Sequence, residues 1–388
     1  MRSGTRRVVL LMSAPIVVFA LVGGVLSKAV AREDTYQHLK IFDDVLSLIS
    51  SNYVEKVNVD KVMDGAMHGL AESLDPDSAY LSADQVKQVE SNAPLPAGDV
   101  GIDLTRQFYL RIIAARDGSP AARAGLQTGD YVRAIDDKPT REMSVFEGMR
   151  ALRGAPGSKV SLTILRGNAN DPHVVPLVRE ALAPAAVESR LASGEVGYVR
   201  VSAVNAKTPD QVKSHVSTLA QKGAASVILD MRRVSGGNVD EGLSLARLFV
   251  AKGTLARRET RGREPETIAA QAGDGAITMA TTILVDTGTT GAAEVFTAAL
   301  AGNQRADVIG EHTIGRAAQQ RLVKLPDGTG LWLTTTRYLT PDGKPLHGAG
   351  IEPSVTVDQP VVEFGQPAPT DDPILDRALQ RLTQKKAA

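Results

Sequence analysis

The sequence predicts an α/β multidomain chain: an N-terminal helical segment, a β-rich module and an α/β core. Three observations carry the prediction. Apolar residues recur at helical spacing between residues 34 and 92, short β-type runs separated by turn residues fill 100–165, and from Glu195 onward apolar strands alternate with helices. At 388 residues the chain has room for about two to four domains.

Composition narrows the chemistry. Lys plus Arg and Asp plus Glu both number 44, so there is no global basic excess of the kind a nucleic-acid binder needs. Cysteine is absent, which excludes disulfides, thiolate nucleophiles, iron–sulfur clusters and Cys-type zinc sites. His38, His68, His173, His215, His312 and His347 show no HxxxH or HxxE spacing. Neither a metal nor a cofactor is expected.

Residues 1–31 read as a signal peptide or membrane anchor. Arg2, Arg6 and Arg7 precede an apolar run over 8–26, and Ala29, Val30 and Ala31 form an AxA cleavage pattern. Pro15 and the Gly23, Gly24 pair weaken the run as a permanent helix, so cleavage is the first reading and an uncleaved anchor the second. Both place the bulk of the protein outside the cytoplasm, in the periplasm or held at the inner membrane, with membrane contact only through this segment. Loss of the leader removes four of the 44 basic groups and no acidic one, leaving a net charge of −4. That balance favours solubility and argues against binding a phosphate backbone.

Residues 32–92 form the helical segment. Leu39, Phe42, Val45, Leu46 and Ile49 mark one amphipathic helix, and Val62, Met63, Ala66, Met67 and Leu70 a second behind Asp60 as N-cap. Asp75 and Pro76 make a turn, and Ser82 with Gln85 is a capping box opening a third helix.

The β-rich module spans 93–182, after a Pro/Gly-rich hinge at 93–98. Runs at 100–104, 108–113, 131–135 and 160–165 read as strands, with a helix around 145–152. The stretch SPAARAGLQTGDYVRAIDDKPT closely resembles bacterial PDZ domains. That resemblance implies capture of an extended peptide as an added strand, its terminal carboxylate held by backbone N–H groups. Gly101 and Ile102 stand where the carboxylate loop would be, since a residue without Cβ lets backbone close around an anion.

The α/β core spans 183–358. Thr208 and Pro209 read as N-cap and first helical residue, and Gly223 as the helix stop. Val227, Ile228 and Leu229 make a buried strand with a helix over 243–249 behind it. Ile283, Leu284 and Val285 make another, followed by a helix over 292–300. The Arg-rich stretch 257–265 is interrupted by Glu259, Gly262 and Glu264 and reads as a solvated loop. Residues 359–388 read as a Pro-rich linker and a C-terminal helix over 374–382. There is no internal repeat.

Several stretches are similar to the carboxyl-terminal processing peptidases, also called tail-specific proteases. SLDPDS resembles the family's SLDPHS-type turn, TTTRYLTPDGKPLHGAGIEPSV its TARYYTPSG and GIEPDV signatures, and GEHTIGRAAQQ its GEKTFGKGSVQ. The resemblance implies a core of crotonase/ClpP-like type and amide hydrolysis by a Ser nucleophile, a neutral Lys base and a Gln that steadies it. The matching positions are Gly291, Arg316 and Gln320, and the family's NPGG-like oxyanion loop appears as Val234, Ser235, Gly236, Gly237. Oxyanion-hole-like positions are Gly236, Gly237 and Ala292.

The frame of that site is present and its chemistry is not. Gly291 has no oxygen to attack a carbonyl, and a guanidinium with pKa above about 12 is not a proton acceptor. Substitute hydroxyls would come from Ser235, Thr289 or Thr290, with His312 or Lys324 as base, but turn roles are the default for all three hydroxyls. His347 reads as a surface or turn residue, and Asp286 as a helix-cap or turn residue at the end of a buried strand. The expectation is an exported, non-catalytic scaffold that binds protein C-termini or unfolded peptides, partnered by an active paralogue or a second copy of itself. The alternatives are an active serine-type endopeptidase with a displaced nucleophile, and an idle structural adaptor.

Overall fold

A computed structural model describes residues 37–167, 171–183, 186–360, 362–366 and 371–387. The expected leader, 1–31, lies outside the described residues. Among the described residues no helix is long and apolar enough to cross a membrane. The chain divides into two compact units, Met1–Gly69 and Leu70–Ala388.

The first unit contributes helix α1 (37–52) and most of α2 (Val59–Glu72). The α2 cap is Asn58, whose Oδ1 accepts the Lys61 N–H at 3.1 Å, rather than the expected Asp60. Asp60 sits two residues further in, in the first turn, where its charge meets the positive end of the helix dipole. Helix α1 forms as its spacing predicts, but its apolar stripe is open to solvent, with Leu39 and Val45 62% and 47% exposed.

The second unit begins in the last turn of α2. Strand β1 (Ala79–Leu81) interrupts the segment that reads as helical. Its three residues are all buried, and a buried extended run needs ladder partners for its backbone. Helix α3 (Ala83–Glu90) follows with the expected Ser82/Gln85 capping box.

The PDZ-like module comes next. It runs through β2 (Gly98–Asp99), β3 (Ile102–Gln107), β4 (Tyr109–Ala115), α4 (Pro120–Arg123), β5 (Tyr131–Ile135), β6 (Lys138–Pro139), α5 (Val145–Ala151), β7 (Lys159–Leu165), β8 (His173–Val178) and β9 (Glu180–Ala181). The antiparallel sheet has the order β3-β4-β5-β7-β8, with β6 on β5, while β2 and β9 pair separately. Val160, Leu162 and Ile164 of β7 face its core at period two. Strand β3 lies at the sheet edge.

The core contains β10 (Val187–Ser193), β11 (Val196–Val201), α6 (Thr208–Gln221), β12 (Ser226–Asp230), α7 (Val239–Arg247), β13 (Thr254–Thr260), β14 (Glu266–Ala269), β15 (Ala280–Val285), α8 (Ala292–Gly302), β16 (Ala306–Gly310), β17 (Ala318–Lys324), β18 (Gly330–Leu339), β19 (Val355–Thr356) and α9 (Pro373–Ala387). One sheet has the order β10-β11-β12-β15-β16-β19, parallel from β11 onward. A second has β1-β18-β13-β14, with β17 also on β18. Helix α6 starts with Thr208 and Pro209 inside it and Lys207 as cap, one residue from expectation, and Gly223 ends it with φ 90°.

The parallel strands are buried on both faces, which explains their continuous apolar runs. Val227, Leu229, Ile283, Val285 and Val308 face α6, α7 and α8, while Ile228, Leu284 and Ile309 face Ile374 and Ala378 of α9. Helix α8 is buried from Ala292 to Leu300, and its small residues allow close packing on α7. A Cβ on Gly242 of α7 would fall 2.2 Å from the Ala292 carbonyl oxygen, so that contact needs glycine. The 359–373 stretch is more than a linker, because Phe364 packs on the core of the PDZ-like module.

Candidate active site

Three loops leave the carboxyl ends of β12, β15 and β16, where α/β sheets gather function. They carry Ser235–Gly236–Gly237, Thr289–Thr290–Gly291 and Thr313–Gly315–Arg316. Glu294, buried in the first turn of α8, ties two of them together. Its carboxylate accepts the N–H groups of Gly291 at 3.1 Å, Gly315 at 2.8 Å and Arg316 at 2.7 Å, together with the Thr313 hydroxyl. Burial pushes its pKa up, against the pull of these donors. Sequence reasoning missed this organising role of Glu294; its place three residues after the helix cap was the available signal.

Gly291 caps α8 with φ 62° and ψ −119°, a conformation L side chains rarely adopt. Glycine takes this conformation without steric cost, and it places no side-chain oxygen at the turn. A Cβ there would stand 3.0 Å from the Gly236 carbonyl oxygen. Gly236 and Gly237 both take positive φ, 72° and 80°. The Ala292 N–H donates to the Gly236 carbonyl at 3.3 Å, so this oxyanion-hole-like donor already points at a loop carbonyl.

Arg316 is fastened rather than poised. Its Nε donates to Asp77 Oδ2 at 3.1 Å, its Nη2 donates to Asp77 Oδ1, and its Nη1 donates to the Leu104 carbonyl at 2.9 Å. The Arg316 and Asp77 side chains are 23% and 9% exposed. Burial works to lower the guanidinium pKa, but the adjacent Asp77 carboxylate overrides it and holds the pKa above its ordinary value. Asp77 stands where the SLDPHS-type turn has His. Asp75 shapes that turn, its Oδ1 accepting the N–H groups of Asp77 at 2.9 Å and Ser78 at 2.8 Å.

Gln320 turns along the β17–β18 pair, where its Nε2 donates to Thr334 Oγ1 at 3.1 Å. Among the described residues its side chain bonds Thr334, whereas that of Arg316 bonds Asp77 and the Leu104 carbonyl. Ser235 donates to Asp103 of β3. Thr289 serves the turn, donating to the Met231 carbonyl at 2.9 Å and accepting the Asp286 N–H at 3.1 Å. Asp286 has the expected turn role, accepting the Arg233 N–H at 2.8 Å, and burial raises its pKa. Neither candidate base is directed to these hydroxyls: His312 faces Glu352 at 3.6 Å and Lys324 pairs with Glu90 at 2.8 Å. His347 lies in a turn, the second of its two expected roles. It is partly buried in the field of Asp75, Asp77 and Arg316, and burial holds its pKa below the ordinary value.

The PDZ-like module covers this cleft. Through Asp103 on Ser235 and the Leu104 carbonyl on Arg316, edge strand β3 is committed to the core. Gly101 has φ 77°, and a Cβ there would fall 2.2 Å from Ser119 Cβ, so packing alone demands glycine. The Val100 and Gly101 N–H groups donate to the chain's own Asp99 at 2.7 and 3.0 Å. Ile102 is buried at the start of β3. The structure therefore brings together Gly291, Ala292, Gly236, Gly237 and Arg316, with Gln320 on the adjoining strand and Gly101 and Ile102 on the covering module. Among the described residues no group of three or more His, Asp or Glu is arranged to hold a metal ion.

These elements define a PDZ domain joined to an α/β core of the serine-peptidase type. Residues 195–357 match peptidase family S41, 111–166 match the PDZ domain, and 22–85 match the N-terminal domain of the activating protease CtpB. A carboxy-terminal-processing protease of Bartonella bacilliformis is 30% identical over 86% of this chain and 78% of its own length. A Staphylococcus aureus protein named "Probable CtpA-like serine protease" is 31% identical over 83% of this chain, which spans 65% of that relative. The solved structure of a photosystem II D1 C-terminal processing protease shares the fold, with 24% identity and a TM-score of 0.68 over 82% of this chain and 92% of that one. The chain belongs to the carboxy-terminal-processing protease family, peptidase family S41.

Proposed function

We propose that this member is a pseudoprotease: an exported scaffold or regulator that binds protein C-termini or extended peptides and does not cut them. The observation that carries the reading is the pair of changes at one cleft, Gly291 without a side chain and Arg316 locked by Asp77 and the Leu104 carbonyl. Hydrolysis needs an attacking oxygen and a group that accepts its proton, and neither position supplies its part. The internal bond from the Ala292 N–H to Gly236 supports the same reading, because it takes a donor that an oxyanion would need. Export is inferred from the leader, and peptide binding from the PDZ domain. An active paralogue or a second copy is the proposed partner.

The test is direct. Purified protein is incubated with an unfolded substrate bearing an apolar C-terminus, and fragments and binding are followed together. Binding without fragments is the expected result. Fragments that disappear in Ser235→Ala or Thr290→Ala would establish a displaced nucleophile instead. Neither binding nor cleavage would leave an idle adaptor.

A further inference from the structure

The C-terminal tail returns to the PDZ domain and makes a built contact there. The Phe364 ring stacks on the His173 imidazole with centroids 4.3 Å apart and planes within 5°. The Arg166 guanidinium lies 5.0 Å from the same ring's centroid. Arg166 is held for this task. Its Nε and Nη2 donate to the two carboxylate oxygens of buried Asp130, both at 2.7 Å, and Nη2 also reaches the Gly125 carbonyl at 2.7 Å. That leaves Nη1, which donates to the Val362 carbonyl at 3.3 Å. A bidentate pair inside the module thus presents one guanidinium nitrogen to a main-chain carbonyl and a cationic plane to an aromatic ring two residues later.

Beyond this contact the tail is fastened to the core. Asp372, just ahead of α9, accepts from Arg232 Nη1 and Nη2 at 2.8 Å each and from the Leu375 N–H at 3.0 Å. Ile374 and Ala378 are buried on the core sheet. One short stretch of chain is therefore anchored to the PDZ domain by Phe364 and to the core by α9. Among the described residues, the polar contacts between module and core include Ser235 to Asp103, Arg316 to the Leu104 carbonyl, Arg116 to the Ala183 carbonyl, and Arg200 and Arg233 to Asp117. Beside these polar contacts, an aromatic anchor adds to what holds the module down.

We propose that the His173–Arg166 cradle is a binding site for an aromatic residue, occupied in cis by Phe364, and that the docked tail straps the PDZ domain over the cleft. Strand β3 is the element under control. With the tail docked its edge faces Ser235 and Arg316; with the tail released the module can lift and offer that edge to a peptide strand. The strap rests on contacts of 362–366 and holds whether or not the cleft hydrolyses anything.

Amide hydrogen exchange on the full chain tests it, because local opening sets the exchange rate of edge-strand amides. Phe364→Ala is expected to raise exchange across β3 at least tenfold while α6 and α7 keep their protection. Phe364→Tyr, which can still stack, stays within about twofold of the parent. Phe364→Leu keeps apolar volume without a stackable ring and serves if the alanine variant does not fold; its β3 exchange is expected to rise severalfold. Unchanged β3 exchange in the folded non-aromatic variants would overturn the strap, and would leave the disarmed-cleft reading untouched.

Discussion

At Arg316 the difference between lysine and arginine decides what the position can do. A lysine that loses its proton can accept one from a serine, whereas the guanidinium keeps its charge and uses its planar fork on Asp77 and Leu104. The same Asp77 would also work against a restored base, since an adjacent carboxylate favours the charged ammonium. Three variants separate these effects. Gly291→Ser alone is expected to stay inert and to cost about 1–3 kcal/mol, because its φ is positive and its Cβ crowds the Gly236 carbonyl. Gly291→Ser with Arg316→Lys should give at most weak cleavage of an unfolded substrate. Adding Asp77→His should raise that rate at least tenfold; equal rates for the double and triple variants would mean that Asp77 is not what holds the proton. The positions Gly291 and Arg316 were legible because short motifs mark them along the chain. The role of Asp77 was not, because it meets Arg316 across 239 residues and only folding joins them.

Elements were legible where a local pattern determines them. The α3 capping box, the α5 helix and the period-two strand β7 follow from neighbouring residues, and they form as the spacing predicts. Strand β1 was hidden because three residues carry no periodicity, and its conformation comes from pairing with Gly330, Leu331 and Trp332. At the turn expected to be a carboxylate loop, the glycine was visible, but Asp99 and Ser119 closing on it were not. Helix α8 shows how one residue can hold an element in place. Glu294 is buried and serves donors from its own first turn and from the loop ending at Arg316. Glu294→Ala would orphan them, and an unsatisfied buried donor costs about 1–3 kcal/mol. Denaturant unfolding is expected to show a loss of at least about 3 kcal/mol for Glu294→Ala, and a smaller one for Glu294→Gln, which keeps an acceptor oxygen. A loss below about 1 kcal/mol would show that the loops hold themselves.

Across the whole second unit, charge joins three parts that sequence reading treated separately. Asp117 of the PDZ domain pairs with Arg200 and Arg233, Arg200 and Arg232 meet at Asp230, and Arg232 continues to Asp372 before α9. Tyr198 donates to Asp230 at 2.6 Å, and burial with the neighbouring carboxylate pushes its phenol pKa well above the ordinary value. Asp230 faces a desolvation penalty from burial, yet its bonds to Arg232, the charge of Arg200 and the Tyr198 hydroxyl bring its pKa from 3.8 down to about 2. A carboxyl depressed in the folded state contributes stability that is present above its unfolded value and is lost as pH falls through its folded one. For Asp230 the window lies between about pH 4 and pH 2, and the contribution is about 2 kcal/mol. Asp117 and Asp372 are depressed as well and act with the same sign. Asp286 and Glu294 are raised by burial, so the cost of ionising them in the fold disappears on acidification and offsets part of the loss at higher pH. Urea unfolding across a pH series is therefore expected to give a flat or slightly rising stability down to about pH 5 and a steep fall below about pH 4. Asp230→Asn should lower stability at neutral pH and flatten that acid limb. An acid limb as steep in the variant as in the parent would show that this junction of PDZ domain, core and C-terminal helix is not what acid breaks.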